Sequence, residues 1–243
     1  MSRFTDSPSN TRTTMTSSMA SAANYHKWVF GAVRPYIIPQ GLTLEVGAGH
    51  GEYTKLLLEI SRRVIATDVD PAMISRIEAG LSNFKNVDVV MMDGVESDKI
   101  REPVDNIIAI NIIEHIKQDD KFIRSCFEVL QSGGRLVLFA PAFPGLFSDM
   151  DREAGHFRRY LKKDLKILLT HNGFKVISVG YFNFTGFWGW LLNKYLKSGV
   201  DSQAANLQVK AFDRCIWLFK LFEIFSFCCG QSIIVVGQKP EST

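Results

Sequence analysis

Three glycines on alternate positions, Gly47, Gly49 and Gly51, follow directly on the run Leu44-Glu45-Val46 and lead into Glu52 and a helical pattern. An apolar strand that ends this way needs a physical reason. Glycine lets the backbone turn sharply and lets a ligand lie against bare main chain. The helix that follows offers N–H groups with no partner inside the helix. A carboxylate at position 52 would repel a pyrophosphate. The loop therefore suits a nucleotide-like ligand that lacks phosphates and carries positive charge.

The chain of 243 residues fits one domain with additions, and its 46% hydrophobic content permits a substantial core. A net charge of +3, without a long basic run, argues against nucleic-acid binding. The four cysteines, Cys126, Cys215, Cys228 and Cys229, form no C-x-x-C pair. A zinc site or disulfide framework is not expected, and the thiols read as reduced in the cytoplasm. Residues 1–21 are rich in Ser and Thr and lack an apolar signal segment. They read as a flexible tail ahead of one domain covering 22–243.

Strand and helix patterns alternate along most of that domain. A helix over 22–37 presents Tyr25, Trp28 and Val29 on one face. Strands are predicted at 42–47, 64–67, 87–92, 104–110 and 135–140, with helices at 51–61, 71–81 and 118–130. Asp70-Pro71 reads as an N-cap followed by proline at the first helical position. Residues 141–160 read as a loop, 161–172 as a helix ended by Asn172-Gly173, and 174–182 and 233–237 as the last strands. Alternation of this kind implies a doubly wound α/β fold around a mostly parallel sheet, with ligands at the carboxyl ends of the strands. Glu45, Gly47, Asp68, Asp93 and Asn111 all fall at such ends.

These segments resemble the class I S-adenosylmethionine-dependent methyltransferases. The glycine loop Glu45–Gly51 is similar to their first motif, and Ala66-Thr67-Asp68-Val69-Asp70-Pro71 to their second-strand acidic motif. Met92-Asp93-Gly94, Ile110–Ile116 and Gly133-Gly134-Arg135-Leu136 resemble the later ones, in the same order. The resemblance covers about residues 22–182. It implies a Rossmann-like sheet of order 3-2-1-4-5-7-6 with strand 7 antiparallel, and S-adenosylmethionine as cofactor. Gly47, Ala48 and Gly49 would then lie under the cofactor's methionine part, with Glu45 receiving its ammonium. Asp68, beside Val69, would accept the ribose hydroxyls. Asp93 and Gly94 would serve the adenine, and Asn111 would sit near the amino acid end. The plainer readings are that Asp68 caps a helix, Asp93 belongs to a turn and Glu45 pairs with a neighbouring backbone.

Methyl transfer is an in-line displacement, so alignment supplies much of the acceleration, and an oxygen acceptor also needs a base. His156, His115 and Tyr160 are the candidates for catalysis. Arg158 and Arg159 suit an anionic acceptor, because arginine pairs bidentately with carboxylate or phosphate. The alternative is that they pair with Asp149, Asp151 or Glu153. Tyr25 and His26 are placed over the acceptor pocket. Some quinone-biosynthesis O-methyltransferases resemble the Ile113–Ile116 segment and use acidic residues and the histidine to hold a metal ion. With Asn111 at the earlier acidic position here, no metal site is assigned. The aromatic region 184–228 reads as a helical insertion in which Asp213, Arg214, Lys220 and Glu223 share a stripe. It would serve as a lid over an apolar acceptor, a homodimer interface or a membrane-surface contact. The leading expectation is methyl transfer to a small-molecule or lipid-like acceptor, at O or N. The alternatives are an NAD(P)-binding oxidoreductase, disfavoured by Glu52, and a non-catalytic binding module of the same fold.

Overall fold

A computed structural model describes residues 22–196 and 211–241. The tail expected at 1–21 and the middle of the 184–228 region lie outside these residues.

Seven strands form one sheet: β1 Leu42–Val46, β2 Arg63–Asp68, β3 Val87–Met91, β4 Val104–Ile110, β5 Leu130–Pro141, β6 Lys175–Phe182 and β7 Ser232–Gln238. Their order is β3-β2-β1-β4-β5-β7-β6. The first five pair in parallel, and β7 runs antiparallel to both neighbours. This is the order and direction that the family resemblance implied. β6 therefore points the same way as β5, and all strands but β7 deliver their carboxyl ends to one edge.

Strand residues alternate between the two faces of a sheet, and both faces here are covered. Leu42, Leu44 and Val46 of β1 join Leu136 and Leu138 of β5 in one core, which α4 (Asp119–Val129) closes with Phe122 and Ile123 and α6 (Lys162–His171) with Leu165. Val64 and Ala66 of β2 join Val137, Phe139 and Val236 in the other. That core lies under α1 (Ala23–Val33), α2 (Glu52–Leu58) and α3 (Pro71–Leu81) through Trp28, Leu57 and Ile77. Phe122 and Phe139 are wholly buried. Truncating a large aromatic side chain in such a core costs roughly 3–5 kcal/mol. Asn106 is a polar exception in the centre of β4. Its side chain accepts from Ile38 N and donates to Ile38 O and Thr43 Oγ1, so the buried amide is satisfied and ties the end of the α1 segment to the sheet.

Several boundaries differ from the sequence reading. The first helix stops at Val33, and Arg34–Tyr36 continue as a 3-10 turn containing Pro35. β5 begins at Leu130 rather than 135. Its pairing with β4 slips between Val104 and Asn106, where Gly133 takes a left-handed backbone. The stretch 141–160 is not a plain loop. It contains a 3-10 turn at Pro144–Leu146 and a helix, α5 (Asp149–Ala154). Ser148 accepts from the backbone and Asp151 reaches back to the Ser148 N–H, so a capping box starts that helix. Asp70 caps α3 as read, accepting from Ala72 N with Pro71 behind it.

The aromatic region is built from α7 (Phe184–Leu196), a helical turn at 211–214, α8 (Ile216–Leu221) and a 3-10 turn at Glu223–Phe227. No helix among the described residues is long and apolar enough to cross a membrane. All four cysteines are free.

Candidate active site

The glycine loop sits at the carboxyl edge, clipped to β2 by its own backbone. Ala48 N donates to Thr67 O at 2.8 Å, and Gly49 N donates to Asp68 Oδ2 at 2.9 Å. Gly47, Gly49 and Gly51 have φ of 73°, 57° and 81°, in the left-handed region that favours glycine. A Cβ on Gly47 would fall 2.0 Å from Ile112 Cδ1, whereas one on Gly49 would meet open space. The turn is thus tight at its first glycine and bare at its second, where a ligand can approach the main chain.

Carboxylates surround this loop. Glu45 is buried on the side of β1 facing α2, where Thr54 Oγ1 donates to its Oε2 at 2.6 Å. Burial pushes its carboxyl up to about 8. The Thr54 hydrogen bond opposes the rise, and the negative charges of Glu52 and Asp68 add to it. Asp68 also accepts from Asp70 N at 2.9 Å through Oδ1. Asp93, on the next strand end, is exposed and accepts from Val95 N at 3.1 Å. Val69 is 63% exposed at the rim near the ends of β2 and β3. Gly94 is packed so closely that a Cβ would come within 2.9 Å of Val46. Asn111 is exposed at the end of β4 with φ of 54°, its N–H held by Phe139 O.

The α1 helix closes one side of the loop. His26 meets Tyr53 edge-on at 5.1 Å, and burial lowers its pKa against the opposing pull of Glu52 and Asp213. Tyr25 is buried, with its ring 6.3 Å from Trp28 and 6.0 Å from Phe212. Its backbone N–H goes to Asp213 Oδ1 at 2.8 Å.

A second cluster lies on the segments that follow β4 and β5. Helix α5 ends at Gly155, whose φ of 83° reverses the chain and brings His156 N onto Asp151 O at 2.9 Å. The same reversal sets His156 Nδ1 2.9 Å from Asp151 Oδ1. Asp151 is fully buried and also accepts from Arg159 Nε at 2.9 Å and from Ser148 N and Oγ. Burial alone would raise its carboxyl, but the hydrogen bond from His156 and the Arg159 guanidinium hold it below the ordinary value. The result is a histidine oriented by a buried carboxylate. The His156 and His115 rings meet nearly at right angles at a centroid distance of 4.7 Å.

The remaining predicted residues have structural partners. Arg158 pairs with Asp119 at 2.7 Å and donates to Lys117 O. Arg159 is buried, ion-paired with Asp151 and stacked over Trp190 at 4.5 Å. Tyr160 donates toward Asp119 Oδ2 at 3.0 Å and lies 3.3 Å from Ile113 O. Burial and the Asp119 charge raise its pKa. The loop arginines thus pair with Asp119 and Asp151, of which only Asp151 was among the three acids named from the sequence.

Glu114 was part of a quoted motif but not of the candidate set. Its carboxylate is wholly buried, and neither oxygen has a hydrogen-bond partner among the described residues. Burial raises it to about 8. Donor atoms of Glu114, His115 and His156 lie within 4.8 Å of one another, so a divalent cation fits the donor set and would satisfy the orphaned carboxylate. Spacing alone does not reveal Asp151 as the partner of His156, because the contact depends on the Gly155 reversal. Ser148-x-x-Asp151 followed by Gly155 was the readable signal for that helix.

Carboxyl-edge loops around a bare glycine turn define a nucleoside-binding α/β domain of the Rossmann-like type. A family profile described as a methyltransferase domain matches residues 44–136. A Mycolicibacterium smegmatis protein carrying the name "probable S-adenosylmethionine-dependent methyltransferase" is 30% identical over 148 residues, 59% of this chain and 56% of that protein. The mouse mitochondrial ubiquinone biosynthesis O-methyltransferase is 24% identical over 204 residues, 69% of this chain and 52% of that one. The chain spans about half the length of these curated relatives. The solved structure of the Bradyrhizobium japonicum N-methyltransferase NodS with S-adenosylhomocysteine shares the fold. Its TM-score is 0.57 at 14% identity, over 89% of this chain and 86% of that one. Residues 44–136 thus match a methyltransferase domain, and the sheet order and fold are those of class I S-adenosylmethionine-dependent methyltransferases.

Proposed function

We propose that the protein transfers a methyl group from S-adenosylmethionine to a small-molecule or lipid-like acceptor in the cytoplasm, at an oxygen or nitrogen atom. One observation carries the reading. Glu52 and Asp68 set carboxylates beside a glycine loop whose middle residue faces open space, with the buried Glu45 carboxyl close by. That field repels a pyrophosphate and attracts a cationic nucleoside. The oxygen or nitrogen preference draws support from the similarity to the mouse O-methyltransferase, and a neutral amine would need no base.

When bound, S-adenosylmethionine supplies an electrophilic methyl group. The chain's task is to hold and align. Gly47, Ala48 and Gly49 present bare backbone, Glu45 takes up an ammonium, and Asp68 accepts ribose hydroxyls. Asp93 and Gly94 face an adenine edge, and Asn111 stands at the amino acid end. His156 takes a proton from the acceptor on Nε2 while Asp151 fixes Nδ1 and steadies the imidazolium. Tyr25 and His26 close the side of the pocket, and the Arg158–Arg159 segment shapes its rim.

Calorimetry with S-adenosylhomocysteine and NAD tests the donor. We expect the sulfur nucleoside to bind, NAD not to bind, and Asp68→Ala to weaken binding at least about tenfold, or ~1.4 kcal/mol. Binding of NAD alone would point to the oxidoreductase alternative. Binding of neither would sink both enzyme readings and leave the binding module. A second reading rests on the orphaned Glu114 carboxylate: a divalent cation shared by Glu114, His115 and His156. Metal analysis of the purified chain, and a thermal shift with Mn2+ or Zn2+ that Glu114→Gln abolishes, would support it.

A further inference from the structure

We propose that the outer face of α7, α8 and the 223–227 turn docks on an anionic membrane surface. Trp188 and Leu192 on α7 are 52% and 61% exposed, Trp217 and Leu221 on α8 are 68% and 62%, and Ile224 and Phe227 beyond them are 73% and 76%. The Phe184 ring joins the two parts, 6.2 Å from Trp188 and 5.6 Å from Phe225. Large apolar side chains gathered like this mark a surface that is covered in use.

The fold turns this face outward by drawing the acids inward. Asp213 accepts from the backbone N–H groups of Asn24 and Tyr25 at the start of α1. Glu223 accepts from Asn183 N and Phe184 N at the start of α7. These are the two acids between residues 211 and 229. The cations Arg214 and Lys220 remain exposed. Lys220 shares a groove of about 510 Å3 with Lys27, which Trp28, Tyr36 and Tyr181 also line and which the capping Glu223 borders. Among the described residues, the charges left exposed beside the apolar face, Lys27, Arg214 and Lys220, are therefore cations, while Asp213 and Glu223 are half-buried. Aromatic and aliphatic side chains flanked by cations suit the headgroup region of an anionic bilayer, with the helices lying in the interface plane.

Charge and geometry favour this occupant over the others. Exposed Lys27, Arg214 and Lys220 give the surface a charge that an anionic bilayer complements and a second copy bearing the same cations does not. Closure as a lid would use the side of α7 that already packs inward, where Phe187 meets Phe143 and Trp190 donates to Leu146 O. Trp188 and Leu192 are the large apolar residues left exposed among the described side chains of α7. β6 runs in the direction of β5, so α7 leaves the sheet at the carboxyl edge where the glycine loop lies. Docking would hold that edge beside the bilayer.

Vesicle flotation of the full chain tests the proposal independently of the reaction. Vesicles of phosphatidylcholine alone are compared with an equal mixture of phosphatidylcholine and phosphatidylglycerol. The chain should float with the mixed vesicles, less so at high salt. The double change Trp217→Ser with Ile224→Ser should lower partitioning about tenfold. Lys27→Glu and Lys220→Glu should lower it about fivefold or more each. Thermal midpoints and S-adenosylhomocysteine calorimetry on the same variants show that fold and donor site are intact, so a failed donor reading is seen separately. Absence of flotation, or equal flotation on both vesicles without salt dependence, overturns the proposal. Unchanged partitioning of the Trp217/Ile224 variant does so too. A dimer seen by light scattering and lost in that variant, without vesicle binding, assigns the face to a second copy instead.

Discussion

Glu45 shows how a single carboxyl reports on the ligand above it. Raised to about 8, it holds a proton at neutral pH in the free protein. A cofactor ammonium favours the carboxylate, so binding should release a proton. Affinity for S-adenosylhomocysteine should therefore climb as pH rises from about 6 to about 8, and Glu45→Gln should flatten the slope. Calorimetry in buffers of different ionisation enthalpy measures the proton directly. At His156 the expectation concerns rate rather than affinity. General-base assistance is worth about 100-fold or more. His156→Ala should lower kcat by that order with donor affinity nearly unchanged, and Asp151→Asn should shift the pH profile of kcat. Equal losses of kcat and donor affinity would instead indicate a collapsed segment around the Asp151–Arg159 ion pair.

Elements owe their ends to residues distant in sequence. The start of α1 has no side-chain cap of its own, since its N-cap position is Ala22. Asp213 serves there from across the fold, accepting from Asn24 N, Tyr25 N and Asn24 Nδ2. Caps of this kind are worth about 1 kcal/mol, which is roughly 2–4 °C in a chain of this size. Asp213→Ala should lower the thermal midpoint by that amount or slightly more, measured by scanning calorimetry, and Asp213→Asn by less. α5 carries the complementary lesson. Its capping box and terminal Gly155 are local signals, but two prolines and a glycine just before it give the stretch the look of a loop.

For the whole molecule, Glu45 and Glu114 make stability depend on pH. Both are raised from 4.5 to about 8 by burial. Between those values the folded state binds more protons than the unfolded chain, so stability falls as pH rises through that window. Each group would cost up to roughly 5 kcal/mol once pH exceeds its folded value. Asp151 has the opposite sign: its lowered pKa adds stability above 3.8 that is lost as pH falls further. Thermal midpoints of the wild type and Glu114→Gln should therefore diverge from pH 5 toward about 8, with the variant more stable at the alkaline end. Parallel curves would mean that Glu114 is already compensated, as a bound cation would do.

Local physics made much of this protein legible before folding. Short apolar runs marked the strands, Asp70-Pro71 marked a helix start, and the ordered motifs placed Gly47, Asp68, Asp93 and Asn111 at strand ends that a parallel sheet gathers on one edge. Those signals act over a few residues, so they survive in the one-dimensional pattern. The tertiary structure decided which distant groups meet. It set Asp151 behind His156, gave Arg158 and Tyr160 to Asp119, and left Glu114 buried without a partner. It also drew Asp213 and Glu223 inward, leaving Trp217 and Ile224 exposed. Each of these contacts depends on chain reversals and long-range packing, and burial rather than residue type sets the resulting charge states.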